Sequence, residues 1–161
     1  MTKNYLFLIS IILLLSSCSI NDVEPNLLRI DNLVIYNKGY SSVSSLVVSR
    51  TQAMADSVSD DSDMIVSSYE SSSICMLSPS KDTIISKGNA KKTGIVDYGP
   101  YKYPYAPTTG YYDMEYPNQN HWYYLQTQDS VYARFLLKSY SADSIVIYIE
   151  VLKENGTYFG E

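Results

Sequence analysis

The chain has 161 residues and a formal net charge of −5. That length buries the core of one domain, and an acidic balance without clustered Lys and Arg excludes a nucleic-acid partner. Tyrosine outnumbers phenylalanine 17 to 3, so most of the aromatic surface carries hydroxyls that need water or a partner.

The first element is a bacterial lipoprotein signal. Lys3 precedes an apolar run, Tyr5 to Leu15, that ends in Leu15-Ser16-Ser17-Cys18. The run is too short to span a bilayer. Cleavage before Cys18 removes residues 1–17 and leaves 144 of the 161, and loss of Lys3 takes the charge from −5 to −6. Cys18 is the expected lipidation site and the membrane the first expected partner, because two or more acyl chains anchor stably where one does not. Ser19 rather than Asp follows the cysteine, so nothing argues for inner-membrane retention. Asp22 and Glu24 resemble the export signals of Bacteroidetes surface lipoproteins. The expected address is the outer membrane, lipid-anchored, with either face open, including the cell surface. Residues 18–26 read as the lipidated N-terminus and tether, and 27–161 as a single mostly-β domain.

Leu27–Tyr36 and Val43–Val48 have strand composition, divided by the turn signal Asn37-Lys38-Gly39-Tyr40. Arg50–Val58, with Ala53, Met54 and Ala55, has helical flavour. Ser57–Asp63 reads as a polar, acidic loop. Met64–Val66, Ile74–Leu77, Thr83–Ser86 and Gly94–Tyr98 are short strand candidates between Ser, Pro, Lys and Gly. Gly99–Pro117 holds four prolines among its tyrosines and reads as a long, stiffened loop. His121–Thr127, Ser130–Tyr140 and Ser144–Leu152 follow as strands. In the last, Ile145, Ile147, Ile149 and Val151 share one face, while Tyr148 and Glu150 share the other. Asn155-Gly156 is a tight turn before a short final strand, Thr157–Phe159. The expected fold class is all-β: an antiparallel, sandwich-like single domain with a C-terminal meander and a long Tyr/Pro-rich loop.

Catalytic signatures are absent: no G-x-S-x-G, H-E-x-x-H, C-x-x-C or phosphate-binding glycine loop occurs. With one histidine, His121, and no serine marked out by its surroundings, the chain is not expected to be an enzyme. Asp56, Asp60, Asp61 and Asp63 lack the glycine and later glutamate of an EF-hand and read as a solvated loop, with weak calcium binding the alternative. Acylation of Cys18 leaves Cys75 as the only other cysteine. It sits in an apolar strand and reads as a buried, inert thiol.

Three stretches carry a resemblance. They are Tyr111-Tyr-Asp-Met-Glu-Tyr-Pro117, Trp122-Tyr-Tyr-Leu-Gln-Thr127 and Val131-Tyr-Ala-Arg-Phe-Leu-Leu-Lys-Ser-Tyr140. With the strand Ile145–Leu152 and the turn before Thr157, they resemble the HmuY family of haem-binding Bacteroidetes lipoproteins over residues 57–159. Ser62–Ser67 corresponds to the family's Trp-Asp-Ile strand, without its tryptophan. The resemblance implies an all-β domain that clasps haem as its cofactor and exchanges it with an outer-membrane transporter. It also implies axial donors: Met114 in the aromatic segment, then His121, Met76 and Tyr112 as further candidates. Members commonly use two histidines, and this chain has one. A Met/Met or Met/His pair suits reduced iron, because soft thioethers favour the lower charge state. No metal other than haem iron is expected.

Three functions follow, haem capture as the main reading and the other two as its alternatives. The first is haem capture in iron acquisition. The second is binding of a glycan or peptide on the tyrosine-rich loop, with Asp113, Asn118, Gln119 and Asn120 beside the rings. The third is an envelope structural lipoprotein without a small ligand.

Overall fold

Strands of alternating branched and polar residues bury one face each and so pair two sheets across a common core. A computed structural model describes residues 24–69, 73–82 and 90–161. The signal segment, Cys18 and the strand expected at Thr83–Ser86 lie outside those residues. The first sheet orders β1 (Leu27–Tyr36), β10 (Ser144–Leu152), β9 (Tyr132–Tyr140), β8 (Trp122–Gln126) and β6 (Gly94–Asp97). The second orders β3 (Gln52–Ser57), β2 (Val43–Ser49), β4 (Met64–Tyr69), β5 (Ser73–Leu77) and β7 (Met114–Glu115). Every pairing is antiparallel. The protein is all-β, and β8, β9 and β10 form the expected C-terminal meander.

The core lies between the sheets. Ile145, Ile147, Ile149 and Val151 of β10 are fully buried, with Ala133, Phe135 and Leu137 of β9 beside them and Leu46, Met64, Val66 and Met76 across from them. Each such aliphatic side chain contributes about 1.5–3 kcal/mol by leaving water. At one end, buried Asn37 ties the sheets together: its Nδ2 donates to Ser68 Oγ at 2.9 Å and to the Ala142 carbonyl at 2.8 Å.

Three sequence expectations need correction. Arg50–Val58 is not helical, because Arg50-Thr51 closes a two-residue turn that pairs Ser49 with Gln52 and Val48 with Ala53. The hairpin ladder and the burial of Ala53 outweigh the helix preference of Ala and Met. Asp63 is not a solvated loop residue. It is fully buried, accepts from the Val48 N–H at 2.8 Å and receives Lys91 Nζ at 3.3 Å. Burial raises its carboxyl above the ordinary range, against the opposing pull of that N–H and of Lys91. The final strand reduces to one bridge, Tyr105 to Tyr158, since buried Phe159 docks on the first sheet rather than lengthening it.

Candidate functional site

The outer face of the first sheet is covered, which alternation alone does not foresee. Glu150 points outward on β10 yet is only 1% exposed. The tyrosine-rich loop and the C-terminal segment lie over it, making a second apolar cluster from Val96, Ala106, Tyr124, Leu152 and Phe159, with Tyr98 and Tyr111 packed against it.

Two buried tyrosines fasten this cover. Tyr124 Oη donates to the Tyr103 carbonyl at 2.5 Å and accepts the Tyr103 N–H at 3.0 Å. Tyr123 Oη donates to the Tyr116 carbonyl at 3.0 Å and accepts the Asn118 N–H at 2.8 Å. Burial pushes both phenols above their usual range. Arg134, fully buried, donates to the carbonyls of Tyr103 at 2.7 Å and Phe159 at 3.1 Å while its Nε meets Glu150 at 2.5 Å. Ile95 and Tyr112 exchange both backbone hydrogen bonds at 2.8 Å. Gly94 allows the approach: a Cβ there would stand 2.5 Å from the Tyr111 Cβ.

With those rings spent on anchoring, others face outward. Tyr101 (66%), Tyr105 (59%) and Tyr112 (62%) are the most exposed of the loop, and Tyr103 and Tyr116 are exposed as well. Tyr105 leans on Tyr158, with ring centroids 4.9 Å apart. The exposed rings are thus held by a fastened backbone.

Beside Tyr112 lies a cleft of about 530 Å³, between the short 3-10 turn Pro79–Lys81, residues 92–94 and residues 111–113. Ser78, Ser80, Lys92, Thr93, Tyr112 and Asp113 line it. Thr93, on its lining, and Tyr111, whose phenol end turns toward Tyr98, Tyr124 and Tyr132 in the cover, each bury a hydroxyl that has no hydrogen-bond partner among the described residues. A second cleft, about 430 Å³, is bounded by Ile74, Tyr116, Pro117 and Tyr140. A third, about 630 Å³, lies by the β2–β3 hairpin and holds Asp56, Asp61 and Asp129. There Lys91 lies 3.5 Å from Asp129, with its ammonium also on Asp63.

The residues expected to meet haem are not brought together. Met76 is fully buried in the core between the sheets. Met114 packs on the opposite face of the second sheet, with Ile65, Cys75 and Leu77. The register explains this: Leu77 pairs with Met114, and Met76 with Glu115. Tyr112 is exposed at the edge of β6. His121 opens β8, half-exposed, and its ring is oriented: Nδ1 lies 3.0 and 2.9 Å from the two Asp97 oxygens. Gly99 N–H at 2.7 Å and Asn118 Nδ2 at 3.0 Å complete the Asp97 shell. Burial alone would raise the Asp97 carboxyl, but these donors hold it below its usual range.

Reading the chain by residue type finds nothing beside His121 to orient its ring; Asp97 does so from 24 positions away. Nearby, burial and the Asp97 charge raise the Glu115 carboxyl. Among the described residues, no group of three or more His, Cys, Asp or Glu is placed to hold a metal ion, and no helix is long and apolar enough to cross a membrane.

No family model and no curated protein matches the chain. Among solved structures, it is similar to the crystal structure of a DUF4466 family protein from Parabacteroides merdae ATCC 43184, with a TM-score of 0.63 at 11% sequence identity. The similarity covers 80% of this chain and 54% of that one, so the chain spans about half the neighbour's length. At that identity the likeness is one of fold.

Proposed function

We propose that the protein is a lipoprotein held at the outer membrane through acylated Cys18, and that its tyrosine-rich loop binds a saccharide. The observation that carries this reading is the pinned loop with Tyr101, Tyr105 and Tyr112 turned to solvent. Aromatic rings on a fixed backbone offer stacking area at little conformational cost. Exposed Asp113, Asn118, Gln119 and Asn120 in the same stretch can bond sugar hydroxyls. Detergent phase partitioning tests the anchor: wild type enters the detergent phase, and Cys18→Ala stays aqueous. An oligosaccharide panel tests the ligand. Binding lost in a Tyr101/Tyr105/Tyr112→Ala triple variant supports the reading, and a panel without binding sinks it.

Haem is the second reading, favoured by His121. An imidazole with one ring nitrogen on a carboxylate is the arrangement that metal-binding histidines use, and the HmuY resemblance points the same way. On this reading His121 Nε2 is the axial donor, supported by Asp97, and an outer-membrane transporter is the exchange partner. Titration with oxidised and reduced haemin tests it. A Soret shift abolished by His121→Ala supports it, and a shift that survives that change removes the assignment.

A further inference from the structure

We infer that the cleft beside Tyr112 is a subsite for an acidic sugar, a uronate residue of an oligosaccharide; this rests on the saccharide reading and gives it a place and a charge preference. The protein as a whole is acidic, with a formal charge of −5. This cleft departs from that balance. Its one carboxylate, Asp113, is already paired with Lys81 at 3.0 Å. Lys92 adds a second ammonium at the rim, exposed and without a carboxylate partner among the described residues. The neighbouring Lys91, by contrast, is taken up by Asp63 and Asp129 on the other side. One lysine without a carboxylate partner among the described residues and one exposed aromatic ring therefore line the same cleft.

The remaining groups suit a polyhydroxylated ring. Ser78 and Ser80 share a hydrogen bond at 3.0 Å at the cleft, and Ser78 Oγ accepts the Thr93 N–H at 3.0 Å. Thr93, on the cleft lining, buries an Oγ1 that has no hydrogen-bond partner among the described residues. An unmet buried hydroxyl carries a free-energy penalty, so the Thr93 side of the cleft gains from an added hydrogen bond. Tyr112 supplies the stacking face, Lys92 the carboxylate partner, and Ser80 and Asp113 the hydroxyl partners. The backbone of Lys92 is itself fixed, its N–H donating to Gln128 Oε1 at 2.9 Å.

Calorimetric titration of the purified protein with hexamers of galacturonate, mannuronate and heparosan, and with a neutral galactan hexamer, tests the assignment. At least one acidic hexamer is expected to bind more tightly than the neutral one, with the preference fading as salt is raised. Lys92→Gln should weaken the acidic ligand about threefold and erase the preference, and Tyr112→Ala should weaken both kinds about tenfold. Both side chains are exposed, so the melting temperature serves as a control for folding. Equal binding of acidic and neutral hexamers, or a preference that survives Lys92→Gln, overturns the uronate subsite while tyrosine-dependent binding still upholds the broader reading. No binding of any hexamer overturns both.

Discussion

Arg134 Nε and Glu150 Oε2 lie 2.5 Å apart on adjacent strands, in register with each other, and neither residue is more than 1% exposed. Arg134 spends its other donors on the carbonyls of Tyr103, Phe159 and Gly160. Glu150 also accepts from Tyr148 Oη at 2.7 Å and Arg29 Nε at 3.3 Å. This pair joins the tyrosine-rich loop and the C-terminal segment to the first sheet. Breaking a buried pair from one side strands the other charge, so Arg134→Met or Glu150→Gln should each destabilise by about 3–5 kcal/mol. Urea unfolding measures this. A double-mutant cycle should show a coupling above about 1 kcal/mol, and additive losses would mean that the two groups act independently.

The same pair gives acid sensitivity. Burial alone would raise the Glu150 carboxyl, but hydrogen bonds from Tyr148 and Arg134 and the nearby positive charges hold it below its ordinary 4.5. A depressed folded-state value stabilises the fold above 4.5, and that contribution is lost as pH falls through the lower folded value. Asp97 follows the same sign below its ordinary 3.8. The urea midpoint should therefore drop as pH falls below about 4.5, and less steeply in Glu150→Gln. An equal drop in both proteins counts against the linkage.

Glu115 runs the other way. Its carboxyl is raised by burial and by the Asp97 charge, so ionisation opposes folding, and stability rises as pH falls through that raised value toward the ordinary 4.5. Glu115→Gln should match or exceed wild type in thermal stability at pH 7 and flatten the profile on mild acidification. A Glu115→Gln protein that melts well below wild type at pH 7 would contradict this.

Gly94→Ala would bring a Cβ to 2.5 Å from the Tyr111 Cβ. Overpacking of this kind costs about 1–3 kcal/mol. The loss should appear in the melting temperature together with a changed near-ultraviolet circular dichroism signal from the tyrosines. A melting temperature equal to that of wild type would mean that the loop shifts freely.

Cys75 is buried, its thiol pushed by burial to about 11, and its Sγ lies 3.2 Å from the Ser67 carbonyl. At pH 8 a disulfide reagent should leave it unmodified in the native protein and label it on unfolding. Rapid native labelling at Cys75 would refute that burial.

Much of the fold is legible in the chain because local signals agree with tertiary pairing. Leu27–Tyr36 and Ser144–Leu152 emerge as strands with the ends expected of them, since their branched residues both favour strands and fill the core. Arg50–Val58 is not legible, because Ala53 and Met54 say helix while a neighbouring strand decides otherwise. Asp97 and His121 meet only through the pairing of β6 with β8, which residue spacing does not encode. Met76 and Met114 look alike as donors until the register of β5 and β7 puts them on opposite faces. Nine tyrosines between residues 98 and 124 mark the loop, but which of them anchor and which face out depends on the sheet beneath.

Hydroxyl-radical footprinting of the tyrosines, with and without a saturating oligosaccharide from the panel, tests the central claim most directly. The account predicts protection of Tyr112, with Tyr101 and Tyr105, and none at Tyr36 or Tyr40 on other parts of the surface. Protection confined to Tyr36 or Tyr40, or no change at Tyr112, would contradict it.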